Sequence, residues 1–161
     1  AALGGRVEIT RYGIGGDTAA RGEARWHGRA LPDADLIILA YGTNDAAPRG
    51  WLRAKAPVPV IDFKASLIRQ IATWREREAE VVLLAPPTGG STAITRRLAP
   101  YRNATAAVGR LANVATLDPA DAFASCPSAQ PVLGSDALHM NASGHQCLGR
   151  WLADQLCPLQ Q

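Results

Sequence analysis

The chain has 161 residues, of which 47% are hydrophobic and 19% are charged, and its formal net charge is +3. This length and composition are enough to bury a hydrophobic core, and they exclude a disordered chain, a collagen and a coiled coil. The 17 basic residues are scattered along the sequence, which argues against a nucleic-acid partner. The longest apolar run, residues 36–41, is far shorter than the roughly 20 residues of a membrane-spanning helix. No membrane span is therefore predicted.

Runs rich in Val, Ile and Leu alternate with helical patterns along the chain. The strand-like runs are Val7–Ile14, Asp35–Tyr41, Glu80–Ala85 and Asn113–Leu117. The helical patterns cover Asp62–Glu78 with Asp62 as N-cap, Pro100–Ala112 with proline first and Leu111 on the inner face, and Ser143–Leu156. This alternation predicts one α/β domain over residues 1–161, with helices on both faces of a parallel sheet.

Two loops are candidates for a pocket. The stretch 46–59 is long, proline-rich and carries Trp51, and the stretch 86–90 carries Pro87 after a predicted strand. Loops that follow strands at the active edge of such a sheet shape binding pockets. For 46–59, a surface excursion without function is an equally good interpretation.

Three polar patches, 15–18, 41–45 and 136–139, follow predicted strands or precede a helix. A parallel sheet places such patches at its carboxyl edge. Asp136 and His139 are three residues apart, so the carboxylate can orient the imidazole as in a catalytic triad. The amide of Asn44 and the backbone N–H of Gly16 are candidate oxyanion donors. Ordinary turns at Asn44 and His139 are the structural alternative, and Asp45 is expected to brace its loop.

In this order and spacing, the segments 13–18, 42–45 and 136–145 resemble the second, third and fifth sequence blocks of the SGNH hydrolases, also called the GDSL esterases and lipases. The resemblance implies a three-layer α/β/α, flavodoxin-like sheet. It implies a triad acid at Asp136, a base at His139, and oxyanion donors at Gly16 and Asn44. The implied activity is serine ester hydrolysis through an acyl-enzyme, without metal or cofactor, on a small-molecule ester or O-acylated carbohydrate.

The first block of that family, a Gly-Asp-Ser that carries the nucleophile at the end of the central strand, has no counterpart in this sequence. Thr18 is a poor substitute, because its use would remove the oxyanion glycine from the second block. None of the serines follows a strand as a nucleophile elbow does. We therefore expect an N-terminally incomplete domain, whose central strand and serine lie in a segment before residue 1 or on a separate peptide or chain.

Two further functions use the same site. One is a pseudoenzyme or a binding module for acylated sugars or a protein, which lacks a nucleophile. The other is an acyltransferase that passes the acyl group to a sugar hydroxyl in place of water. A Gly-Asp-Ser strand encoded upstream separates the enzymes from the binding module.

Cys126, Cys147 and Cys157 have no metal-site spacing, so a zinc site is not expected. The sequence allows either one disulfide and a leftover thiol or three reduced side chains. Many members of the resembled family are secreted or periplasmic. The resemblance therefore favours such a location. There, a Cys126–Cys147 bridge from the loop before the Asp-His turn to the final helix is one of the alternatives left open.

Overall fold

A computed structural model of the protein describes residues 7–26, 31–47, 56–126 and 131–156. Its strands are β1 (Leu36–Ala40), β2 (Glu80–Leu84) and β3 (Ala115–Leu117). Its helices are α1 (Ala19–Trp26), α2 (Thr43–Ala46), α3 (Val60–Arg75), α4 (Thr92–Ala112), α5 (Pro119–Ser125) and α6 (Ala142–Leu156). All strand pairs are parallel, in the order β1-β2-β3, which confirms the predicted α/β class.

The hydrophobic core lies on one face of the sheet. Leu39 of β1 and Leu83 of β2 stand opposite each other in the register and are both buried. Side chains from α1, α3 and α4 cover them, chiefly Ala19, Phe63, Leu67, Ile71, Trp74, Leu98, Tyr101 and Val108. On the other face of β1, Ile38 is 40% exposed. Burial of these large side chains is the main favourable term that holds the sheet and its helices together.

The predicted strand Val7–Ile14 is wrong. Residues 7–14 form no strand pairing and are exposed, although their composition is typical of a strand. A strand needs a neighbour for its backbone hydrogen bonds, and within the described residues β1 pairs with β2 alone. The segment is attached through Tyr12, whose ring lies 5.4 Å from that of Trp26 and whose carbonyl accepts a 2.8 Å hydrogen bond from Arg25.

Three helix boundaries also differ from the prediction. Helix α3 ends at Arg75 and not at Glu78, which has a left-handed φ of 61°. Helix α3 begins after Pro59, so Asp62 is not the N-cap but lies in the first turn, where a carboxylate still favours the helix dipole. Helix α4 begins eight residues before Pro100, because Ser91 caps it by accepting the N–H of Ile94 at 3.3 Å. Leu111 is 72% exposed rather than inward. The prediction for α6 is confirmed to within one residue.

A disulfide joins Cys126, at the end of α5, to Cys147 of α6, with 6.0 Å between the Cα atoms. The sequence alone leaves this bridge open as one alternative, and Cys157 lies outside the described residues. The two helices also pack against each other. The bridge thus ties α6, and the turn that precedes it, to the end of α5. In the described part of the chain, no helix has the length and apolar character needed to cross a membrane.

Two isoleucines of α3 offer a matched test of this packing. Ile71 is 2% exposed and lies in the core, whereas Ile61 is 70% exposed. We expect Ile71→Ala to lower the free energy of unfolding by about 2–5 kcal/mol, because it leaves a cavity. Ile61→Ala is expected to change it by less than about 0.5 kcal/mol. Urea unfolding followed by circular dichroism measures both, and equal effects would contradict the packing described.

Candidate active site

The polar patches gather at the carboxyl edge of the sheet. The side-chain amide of Asn44, after β1, donates to the backbone carbonyl of Asp17 at 2.9 Å. Gly42 packs against Pro86 of the loop after β2, where an added Cβ would lie 2.9 Å from the proline ring. Farther along that loop, Gly90 donates its N–H to the carbonyl of Ala137 at 2.7 Å. A continuous series of contacts therefore links all the predicted patches.

Asp136 and His139 form a hydrogen-bonded pair, with 2.5 Å between Asp136 Oδ2 and His139 Nδ1. The other carboxylate oxygen accepts the backbone N–H groups of Leu138 and His139, both at 3.0 Å. Ala137 adopts a left-handed conformation, with φ of 56°, and Leu138 is buried in the core. Leu138 thus anchors the turn while Asp136 and His139 face solvent.

The hydrogen bond from His139, followed by those from the two backbone N–H groups, lowers the pKa of Asp136 from 3.8 to about 2. The carboxylate is therefore ionised at any ordinary pH. A carboxylate at Nδ1 holds the proton on that nitrogen and leaves Nε2 free to accept another. A pair of this geometry can orient an imidazole and accept a proton from a neighbouring hydroxyl.

The start of α6 fixes the position of His139. The N–H of Gly134 donates to the carbonyl of His139 at 2.7 Å. Asn141 caps the helix by accepting the N–H of Gly144 at 2.9 Å. Gly144 lies so close to the preceding loop that an added Cβ would be 2.1 Å from the carbonyl oxygen of Val132. These contacts confirm that the helix starts immediately after the Asp-His turn and hold the imidazole at its entrance.

Gly16 and Asn44 lie in neighbouring loops. Gly16 has φ of 85° in a turn closed by a 3.2 Å hydrogen bond from Asp17 N–H to the carbonyl of Ile14. This conformation favours glycine. The bond from Asn44 to Asp17 uses one of the two amide hydrogens, so the other can be given to a ligand. Among the described residues, no hydrogen bond joins these two residues directly to the Asp136–His139 pair.

Asp45 is fully buried. Its carboxylate accepts the N–H of Ala19 at 3.0 and 3.2 Å and that of Gly42 at 3.1 Å. Burial raises its pKa, and these hydrogen bonds oppose the rise. The expectation that Asp45 braces its loop is confirmed.

Two side chains that the sequence did not indicate, Tyr101 and Arg102, support the two predicted pocket loops. Tyr101 donates its hydroxyl to the carbonyl of Val58, near the end of the 46–59 loop. Arg102 donates to the carbonyl of Pro86 and pairs with Asp118, which fixes the start of the 86–90 loop. Pro87 is half-buried on that loop, and Trp51 lies outside the described residues. No signal short of the three-dimensional packing identifies these two supports.

Comparison with known proteins identifies the family and the fold. The family described as GDSL-like lipase/acylhydrolase matches residues 1–147, and the chain therefore belongs to that family. A lipase/acylhydrolase from Enterococcus faecalis has a similar structure, with a TM-score of 0.71 and 23% identity over 89% of this chain and 72% of its own. For an acetylxylan esterase from Geobacillus stearothermophilus, the TM-score is 0.71 and the identity 19%, over 85% of this chain and 66% of its own.

At these identities the two structures establish the SGNH-type fold, and this chain spans about two thirds of the length of the second. No curated protein sequence matches the chain. Membership in the family and the likeness of fold confirm the resemblance that the three sequence patches indicated.

The low pKa of Asp136 gives a direct test of the pair. We expect the carboxyl to titrate near 2 and to move up toward 3.8 in His139→Ala, since the imidazole bond makes the largest contribution. The stabilisation that the pair supplies is present above the unfolded value and is lost as the pH falls through about 2. Carboxyl ¹³C NMR measures the titration. His145→Ala, which alters the exposed imidazole of α6, is the control and leaves it unchanged. An unchanged titration in His139→Ala would contradict the pairing.

Proposed function

We propose that this chain supplies the acid–base pair and oxyanion donors of a serine ester hydrolase. The observation that carries the proposal is the carboxylate of Asp136 on Nδ1 of His139. The Asp136–His139 pair lies in a loop that is linked by contacts to the turns of Asn44 and Gly16. Membership in the acylhydrolase family supports the same reaction class.

In the proposed reaction, a serine hydroxyl attacks the ester carbonyl while Nε2 of His139 takes its proton. The protonated imidazole then gives that proton to the leaving alcohol, and Asp136 stabilises the positive ring between the two steps. The Gly16 N–H and the Asn44 amide donate to the carbonyl oxygen as it becomes negative, each contributing on the order of 3 kcal/mol in the transition state. Water, activated by His139, releases the acid. These reaction steps need no metal or cofactor.

We place the nucleophile outside residues 1–161. Two hydroxyls within the described residues already have structural tasks: Thr18 caps α1 by accepting the N–H of Arg21, and buried Ser66 donates to Glu23 at 2.6 Å. Segment 7–14 also lacks the strand pairing that its sequence favours. A strand inserted between it and β1, from a preceding segment or a separate chain, would pair with both and bring a serine to the site.

For the substrate, we propose a small-molecule ester or an O-acylated carbohydrate. The fold shared with an acetylxylan esterase supports the second class. In this proposal the 46–59 loop with Trp51 and the 86–90 loop with Pro87 shape the acyl or alcohol pocket. An acceptor hydroxyl in place of water would make the same site an acyltransferase, which analysis of the products with added sugar detects.

Two histidines of the same region give the test of this function. In the complete protein, His139→Ala is expected to abolish hydrolysis of p-nitrophenyl acetate, because the general base is lost. His145→Ala removes an exposed imidazole three residues into α6 and is expected to retain full activity. Circular dichroism checks that both variants fold. Full activity of folded His139→Ala would refute the proposal, and a wild-type protein that binds but does not hydrolyse esters would favour the binding module.

A further inference from the structure

Asp45 carries a buried charge for which the described residues supply no cationic partner. No described Lys, Arg or His forms an ion pair with its carboxylate, which is fully buried. An uncompensated buried carboxylate is costly, and it persists only where hydrogen bonds replace the lost water. Here the compensation comes from backbone N–H groups of Ala19 and Gly42. Keeping this carboxylate buried between these donors therefore lowers the stability of the fold by the remaining desolvation free energy.

The two donors belong to separate segments of the chain. Ala19 is the first residue of α1 and comes three residues after Gly16. Gly42 precedes α2 and comes two residues before Asn44. The carboxylate of Asp45 thus connects the loop that carries Gly16 to the loop that carries Asn44, the two proposed oxyanion donors.

A second link between the same loops lies beside the first. Asn44 donates to the carbonyl of Asp17, the residue that follows Gly16. With the carboxylate contacts to Ala19 and Gly42, the loops are joined at two points. Two links restrict both sliding and rotation of one loop relative to the other, which a single link would not do.

We propose that Asp45 is a positioning residue that sets the separation between the Gly16 N–H and the Asn44 amide. This inference rests on the proposed function, in which those two groups bind the oxyanion. It assigns to Asp45 a role in kcat without contact with the substrate. A donor displaced by a fraction of an ångström from a developing charge loses much of its effect.

The chemistry of the carboxylate is essential to this role. Its two oxygens accept three contacts, two from Ala19 and one from Gly42. An asparagine has nearly the same volume, but one of its two terminal atoms is an N–H donor. In either orientation of the amide, Asp45→Asn sets a donor against the N–H of Ala19. With its nitrogen at the Oδ2 position, it also opposes the N–H of Gly42, so the link is weakened.

Gln70 provides the matched control. Its buried amide donates to the carbonyl of Ala19 at 3.1 Å, and no hydrogen bond between described residues joins it to the loop of Asn44. Gln70→Met is expected to lower the melting temperature while leaving the distance between the loops unchanged. It separates a general loss of stability from a loss of positioning.

The test compares both variants of the complete protein by ¹H–¹⁵N NMR and by hydrolysis of p-nitrophenyl acetate. In Asp45→Asn we expect shifted resonances for the Gly16 amide and the Asn44 side chain, and a kcat lower by roughly 10- to 100-fold with KM little changed. In Gln70→Met both resonances and kcat stay as in the wild type. If Asp45→Asn does not fold, Asp45→Ser, which keeps one acceptor oxygen, takes its place.

Unchanged Gly16 and Asn44 resonances in the Asp45 variant would overturn the proposal, as would an equal fall in kcat in Gln70→Met. A wild-type protein without esterase activity would instead refute the proposed function. In that case the NMR comparison still decides whether Asp45 sets the geometry of the two loops.

Discussion

The parallel pairing of β1 with β2 is the constraint on which the rest of the site depends. Because the two strands run in the same direction in register, the loops that follow Ala40 and Leu84 leave the sheet at one edge. Leu39 and Leu83 hold this pairing from the core side, where α3 and α4 cover them. The hydrophobic core thus places Asn44 and the 86–90 loop at the same edge of the sheet. Hydrogen bonds from Asn44 to Asp17 and from Gly90 to Ala137 then connect the Gly16 turn and the Asp-His turn to this edge.

Two aspartates show how environment sets the task of one side-chain type. Asp136 is exposed, and its hydrogen bonds with the His139 side chain and with two backbone N–H groups lower its pKa to about 2, so its carboxylate is ionised beside the imidazole. Asp45 is buried, burial raises its pKa, and its hydrogen bonds within the described residues all come from backbone N–H groups. The first carboxylate belongs to the proposed chemistry. The second belongs to the framework that positions it.

The sequence predicted the features that depend on local pattern and on the order of strands and helices along the chain. The alternation of strands and helices predicted the parallel sheet, and the Asp-x-x-His spacing before a helix predicted the pair that the structure forms. Periodicity did not predict α1 or α5, which are short. It also favoured a strand at residues 7–14, because a strand-like composition says nothing about whether a neighbouring strand is present. The supports supplied by Tyr101 and Arg102 depend on contacts between distant segments, which one sequence does not show.

In the proposed reaction, the Asp136–His139 pair activates a serine outside residues 1–161. The most direct test is intact-mass and peptide analysis of the complete protein after treatment with a fluorophosphonate, which labels activated serines. We expect a single label on a serine in the additional segment or chain, and loss of labelling in His139→Ala. A label on a serine within residues 1–161, or labelling that persists without His139, would contradict the proposed activation.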